Sequence, residues 1–171
     1  MVNENVQIIS VAEADPALDK ELRDWFRDQF AHTTYLWAEP DYYGICCVDE
    51  HLAGRLAIFD REVSAGGIIV KVGGIGGVAT KPQWRHHRVA SALLSCAAEF
   101  MRDKLSLEFG FLLCRREVSP VYAKLGWTPV EGPTIFSQPG GSATYPHDTR
   151  ILRLADREWP SGAIDMMGLP W

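Results

Sequence analysis

Arg85, His86, His87 and Arg88 set four basic or near-basic side chains in a row, just after the glycine-rich run 68–80 and just before an apolar pattern at helical spacing. That pattern is Val89, Ala92, Leu93, Cys96, Ala97 and Phe100. A strand, a tight basic loop and a helix start suit a pyrophosphate, because the unpaired N–H groups of a first helical turn point at an anion and the helix dipole adds a favourable field. A phosphate-bearing cofactor is the first chemistry these residues suggest. Two other readings compete. Gly74-x-Gly76-x-x-Ala79 loosely matches a dinucleotide fingerprint, yet Lys81-Pro82 separates the glycines from the helix and no βα series precedes them, which argues against a Rossmann unit. The other is a solvated basic turn with no ligand.

Further groups could act on a substrate. Glu39 and Asp41 lie among Tyr35, Trp37, Tyr42 and Tyr43, and carboxylates mixed with rings would suit a polyamine or an amino sugar. His147, whose charge changes near neutral pH, is a candidate base in the loop 139–148. The four cysteines show no zinc-ligand spacing, so no metal is expected. Cys46 and Cys47 point to opposite faces of a strand, Cys96 and Cys114 sit in apolar patterns, and buried reduced thiols are the expected state.

Composition bounds the whole. At 171 residues and 47% hydrophobic content, the chain reads as one domain over 1–171. The net charge of −5 makes the basic loop a local feature, so nucleic acid is not expected as a partner. No basic n-region and no long apolar stretch is present, which leads to an expectation of a cytoplasmic protein without a membrane partner.

The elements that must position these groups alternate. A strand over 5–12 leads to a helix capped by Asp15-Pro16, with Leu18, Leu22, Trp25, Phe26 and Phe30 repeating at three and four. After the aromatic loop come strands near 44–48 and 52–61 and the long strand 68–80, where glycines suggest a bulge or close approach by a ligand. A helix is expected from Arg85 to about Lys104, then a strand over 109–114, a short helix 120–125 ended by Gly126, and a closing pair of strands, 134–137 with 149–154. The tail to Trp171 reads as irregular. A mixed sheet flanked by helices, α/β or α+β in class, is the economical architecture.

The run Val78-Ala-Thr-Lys-Pro-Gln-Trp-Arg-His-His-Arg-Val-Ala90, followed by Ser91-Ala-Leu-Leu94 and later by Tyr122-Ala-Lys-Leu-Gly-Trp127, resembles the GNAT acyl-CoA N-acyltransferase superfamily. Within it the order Val78-Ala79, Trp84-Arg85, Ser91 to Leu94, Gly126-Trp127, Gly132-Pro-Thr134 and a Trp-ending tail is most similar to aminoglycoside 2'-N-acetyltransferases. The stretch Glu158 to Asp165 also resembles the tail of NodA acyltransferases. The resemblance implies a mostly antiparallel mixed sheet with a central splayed parallel pair, and acetyl-CoA as donor. It also implies N-acetyltransfer to a primary amine of a small cationic acceptor, an aminoglycoside or amino sugar among them. A longer-chain NodA-like transferase and a non-catalytic acyl-CoA sensor are the alternatives, and a homodimer is compatible with the resemblance.

Residue by residue, the implied pyrophosphate loop falls on Arg85, His86, His87, Arg88, Val89, Ala90 and Ser91, with Val78, Ala79 and Thr80 pairing with the pantetheine arm. Arg88 stands where the pattern has glycine, so it either takes an ordinary helical conformation or weakens the pocket. Tyr122 falls on the family's general-acid position. The strand carboxylate of the aminoglycoside enzymes falls on Gly76, which cannot serve; the C-terminal carboxylate of Trp171 is the substitute expected as base. Glu39, Asp41, Gly76, Cys114, Asp148 and Asp165 are the expected acceptor-side positions.

Overall fold

A computed structural model describes residues 4–171. Strand β1 (Glu4–Ser10) ends in a 3-10 turn, Val11–Glu13, two residues short of the expected strand end. Helix α1 (Pro16–Gln29) begins where Asp15 accepts hydrogen bonds from the Ala17 and Leu18 N–H groups, and Pro16 suits the first helical turn because it has no N–H to leave unpaired. Strands β2 (Tyr42–Val48), β3 (His51–Ala65) and β4 (Ile68–Thr80) form an antiparallel meander, with β1 on the outer edge of β2. Helix α2 (Val89–Asp103) starts four residues later than expected, leaving Arg85 to Arg88 outside it in a loop.

Strand β5 (Phe109–Cys114) lies parallel to β4, and helix α3 (Ser119–Ala123) follows it. The expected closing pair of strands does not form. Strand β6 (Thr128–Pro129) pairs with β9 (Asp148–Arg153), which itself lies against β5. Strand β7 (Thr134–Gln138) pairs instead with β8 (Gly141–Thr144), inside the expected loop, because Pro139 and Gly140 close a tight two-residue hairpin. The tail is less irregular than expected: β10 (Ile164–Asp165) wedges between the end of β3 and β7. All ten strands described join one mixed sheet.

The sheet has two covered faces. On one, α2 buries Val89, Leu93, Leu94, Ala97 and Met101 against Leu56, Ile58, Ile75, Leu112 and Trp127. On the other, α1 sets Leu22 against Tyr43 and Ile45, while Phe59, Phe111 and Trp171 pack beside them.

Strand β4 changes course midway. Its pairing with β5 runs only from Val72↔Phe109 to Ile75↔Leu112, and its register with β3 shifts between Ala57↔Gly76 and Arg55↔Ala79. That shift is a β-bulge at Gly77 and Val78, and Gly77 holds a left-handed φ of 58°. Arg55, only 2% exposed, locks the bulge by donating from Nε to the Gly77 carbonyl (3.0 Å) and from Nη1 to the Leu22 carbonyl (2.8 Å). Beyond the bulge β4 and β5 part, leaving a splayed parallel pair. A Cβ at Gly77 would stand 2.0 Å from Arg55 Nη2. Gly77→Ala is therefore expected to cost roughly 1–3 kcal/mol, from left-handed strain and overpacking together, read by urea denaturation.

Candidate active site

The mouth of the splay carries the basic loop. Lys81 N–H bonds to the Ala53 carbonyl (2.8 Å), so by strand alternation the main-chain groups of Thr80 face away from β3, toward the opening. The Val78 carbonyl already accepts a hydrogen bond from Gln29 Nε2 (3.1 Å). Val78, Ala79, Thr80 and Arg85 share one wall of a groove of about 910 Å³. On its α1 wall Asp24 pairs with Lys20 (2.6 Å) and Glu21 with Lys81 (3.3 Å), so these two cations are already engaged and Arg85, at the loop, is left to meet an anion.

Arg88 resolves the question its side chain posed. It adopts φ 61°, ψ 13°, so it takes the left-handed conformation that glycine would take, as does His86 at φ 68°. Left-handed residues within a turn gather backbone N–H groups into an anion-binding concavity. Arg88 caps α2 without a side-chain bond, so the first-turn amides of Val89, Ala90 and Ser91 have no cap to satisfy them. Arg85, His86, His87 and Arg88 are exposed and form no ion pair among the described residues. Free amides, a helix dipole and unpaired cations are a donor set that fits a pyrophosphate.

Tyr122 and Trp171 approach the splay from opposite faces. Tyr122, half-buried on α3, packs edge-on to Trp127 (6.4 Å) beside the α2-side core. Burial pushes its phenol well above the usual value of 10, and the neighbouring Cys114 adds to the rise. Cys114 is buried on this same side, and burial likewise raises its thiol. On the α1 face the Trp171 ring is sandwiched by Phe59 (5.9 Å) and Phe111 (5.5 Å), and its Nε1 donates to the Phe111 carbonyl (3.4 Å). A Cβ at Gly74 would lie 2.3 Å from that indole, and one at Gly76 would lie 2.9 Å from the Trp171 main-chain carbonyl carbon. Both glycines therefore make room for the tail, and the Trp171 main chain lies where a residue-76 side chain would project.

The acidic residues fare differently. Glu39 lines a cavity on the α1 face but pairs with Arg23 (2.5 Å), and Asp41 pairs with Arg61 (2.5 Å) while accepting from the Asp60 N–H. Asp148 sits opposite Cys114 at the start of β9, near Arg116 (3.7 Å), and lines a small separate cavity with Tyr145 and His147. Asp165 turns its carboxylate to the Met167 N–H (2.8 Å), and neither aspartate lines the α1-face cavity. Sequence reasoning missed Arg55 and the walls Phe26, Phe30 and Phe59. The legible signal was an arginine inside the apolar strand 52–59.

A bulged strand splayed from its parallel neighbour, with a basic helix start at its mouth, is the architecture of acyl-CoA-dependent N-acetyltransferases. The model of the acetyltransferase (GNAT) domain matches residues 6–130, and the chain belongs to that family, whose acyl donor is acetyl-CoA. An aminoglycoside 2'-N-acetyltransferase of Mycolicibacterium fortuitum is 24% identical over 153 residues, spanning 85% of this chain and 77% of that protein. Among solved structures, the GNAT N-acetyltransferase YhbS of Escherichia coli in complex with CoA aligns with a TM-score of 0.61 at 13% identity, covering 97% of this chain and 91% of the other. Escherichia coli ElaA aligns at 0.65 and 14%, covering 90% and 100%. No helix among the described residues is long and apolar enough to cross a membrane.

The left-handed Arg88 yields a prediction. Arg88→Gly should be more stable than Arg88→Ala by about 1 kcal/mol, a rise of roughly 2–4 °C in Tm by differential scanning calorimetry, because only glycine relieves the strain. Equal melting temperatures would show the conformation to be unstrained.

Proposed function

We propose that the chain, acting as one domain, acetylates the primary amine of a small molecule by direct transfer, with Tyr122 as general acid. The observation that carries this reading is the splay of β4 from β5 beyond Ile75 and Leu112, with Tyr122 on one face and an open cavity on the other. Bound acetyl-CoA supplies a thioester carbonyl carbon that the amine attacks as the C–S bond breaks. Arg85 to Ser91 hold the phosphates, by side-chain charge and by the first-turn amides, and Val78 to Thr80 align the pantetheine arm along the strand.

Tyr122 holds a proton at its hydroxyl for the departing thiolate. Burial makes the phenol a weaker acid than in water, but it also makes a thiolate in the same desolvated place a stronger base, so desolvation acts on both partners of the transfer and not on the acid alone. The proton that the amine sheds as the C–N bond forms passes to water at the open cavity. The bacterial relative's name supports an amino-sugar acceptor. The carboxylates that would bind extra ammonium groups, Glu39 and Asp41, are engaged by Arg23 and Arg61, which favours an acceptor of lower charge.

A thiol-release assay with a panel of amines tests the reading; coenzyme A binding without amine-dependent release would leave a sensor. Tyr122→Phe is expected to lower kcat by about 10²–10³-fold with little change in KM for acetyl-CoA. Unchanged turnover would remove the acid assignment. Because the raised pKa keeps the phenol protonated through pH 10, kcat should show no loss from its ionisation between pH 8 and 10.

A further inference from the structure

The cavity on the α1 face has a volume of about 380 Å³, at the small end for ligand sites. It is lined on β3 by Ala57 and Phe59, and the Phe59 ring would lie 3.2 Å from a Cβ at Gly76, so one wall of the cavity adjoins the parting strands. Trp37 lines it and packs among its other rings, with Phe30 at 5.1 Å, Tyr35 edge-on at 5.8 Å and Phe26 edge-on at 6.0 Å. Rings at these separations form a ready stacking and edge-contact surface for another ring.

The charges around the cavity are already balanced at its rim. Arg23 is held by Asp19 and Glu39, and Arg27 by Asp24. Arg55 lies in the lining with its guanidinium stacked on Phe26 (5.1 Å). It pairs with no carboxylate among the described residues, and its Nη2 is buried without a hydrogen-bond partner. Burial pulls its pKa down to about 10, which leaves it charged at neutral pH. The amine that attacks the thioester is neutral and can sit in this field, but a second, protonated amine would meet this fixed positive charge and find no free carboxylate.

We infer that this cavity holds the acceptor and selects a primary monoamine carrying an aromatic ring, the ring seated against Trp37 and the amine directed toward Gly76. The inference deepens the N-acetyltransferase reading and rests on it for the fate of the amine, while the preference for a ring rests on the cavity walls.

Isothermal titration of the full chain saturated with coenzyme A tests it, using phenethylamine and tryptamine against butylamine, spermidine and kanamycin. Phenethylamine is expected to bind roughly five- to tenfold more tightly than butylamine, and more tightly than either polyamine. In Trp37→Leu, and independently in Phe30→Leu, the ratio of phenethylamine to butylamine affinity should fall below about threefold; coenzyme A affinity reports that each variant is folded. Tighter binding of kanamycin or spermidine, an unchanged ratio in both variants, or no heat from any amine would overturn the inference. So would selective loss of decanoyl-CoA affinity in the variants, which would make the cavity an acyl-chain site. Ring-dependent binding with no thiol release on adding acetyl-CoA would overturn the transferase reading and leave the cavity assignment standing.

Discussion

The grip of Arg55 on the Gly77 bulge is the constraint on which the site depends. Two parallel strands paired along their whole length would present no opening between them. Inserting an extra residue in β4 redirects the strand, and a buried guanidinium bonded to the Gly77 carbonyl holds the redirected backbone against relaxation into regular pairing. Burying that cation costs desolvation, which the two carbonyl bonds and the Phe26 ring offset in part. The same side chain reaches Leu22, so the helix on one face and the opening in the sheet are tied together through one residue.

From that opening follows a division of labour between the two faces of the sheet. The basic loop and α2 stand on one side with Tyr122, where anion-binding and proton-donating groups are useful. The other side holds α1, the aromatic loop and the tail. Gly74 and Gly76 lack the side chains that would keep the tail out, so Trp171 packs against β4 between Phe59 and Phe111. The glycine at position 76 is thus coupled to the placement of the tail, because the incoming main chain occupies the space that a side chain there would need.

Much of this was legible in the chain. The extent of β4 and β5, the Asp15-Pro16 start of α1 and the phosphate-suited turn at Arg85 to Arg88 follow from local patterns of apolarity, glycine and charge. The start of α2 was misread because Arg85 to Arg88 carry no feature that distinguishes a loop from a first turn; only the left-handed backbone at His86 and Arg88 separates them. The partners of β7, β8 and β9 were misread for a different reason. Pairing depends on which strand edges are free after the sheet has assembled, and a strand's own residues carry little of that information.

By itself the amino-acid sequence determined the extent of β4 and β5, the start of α1, the anion-suited turn at Arg85 to Arg88, and the family resemblance carried by residues 78–94 and 122–127. Tertiary structure alone decided that Glu39 and Asp41 are neutralised by Arg23 and Arg61, that Arg55 is buried beneath an aromatic cavity, and that Trp171 comes to rest beside Gly76. The physical reason is range. Capping, periodicity and dipole effects act within a few residues of the chain, whereas charge neutralisation and ring packing depend on groups that only folding brings within a few ångströms of each other.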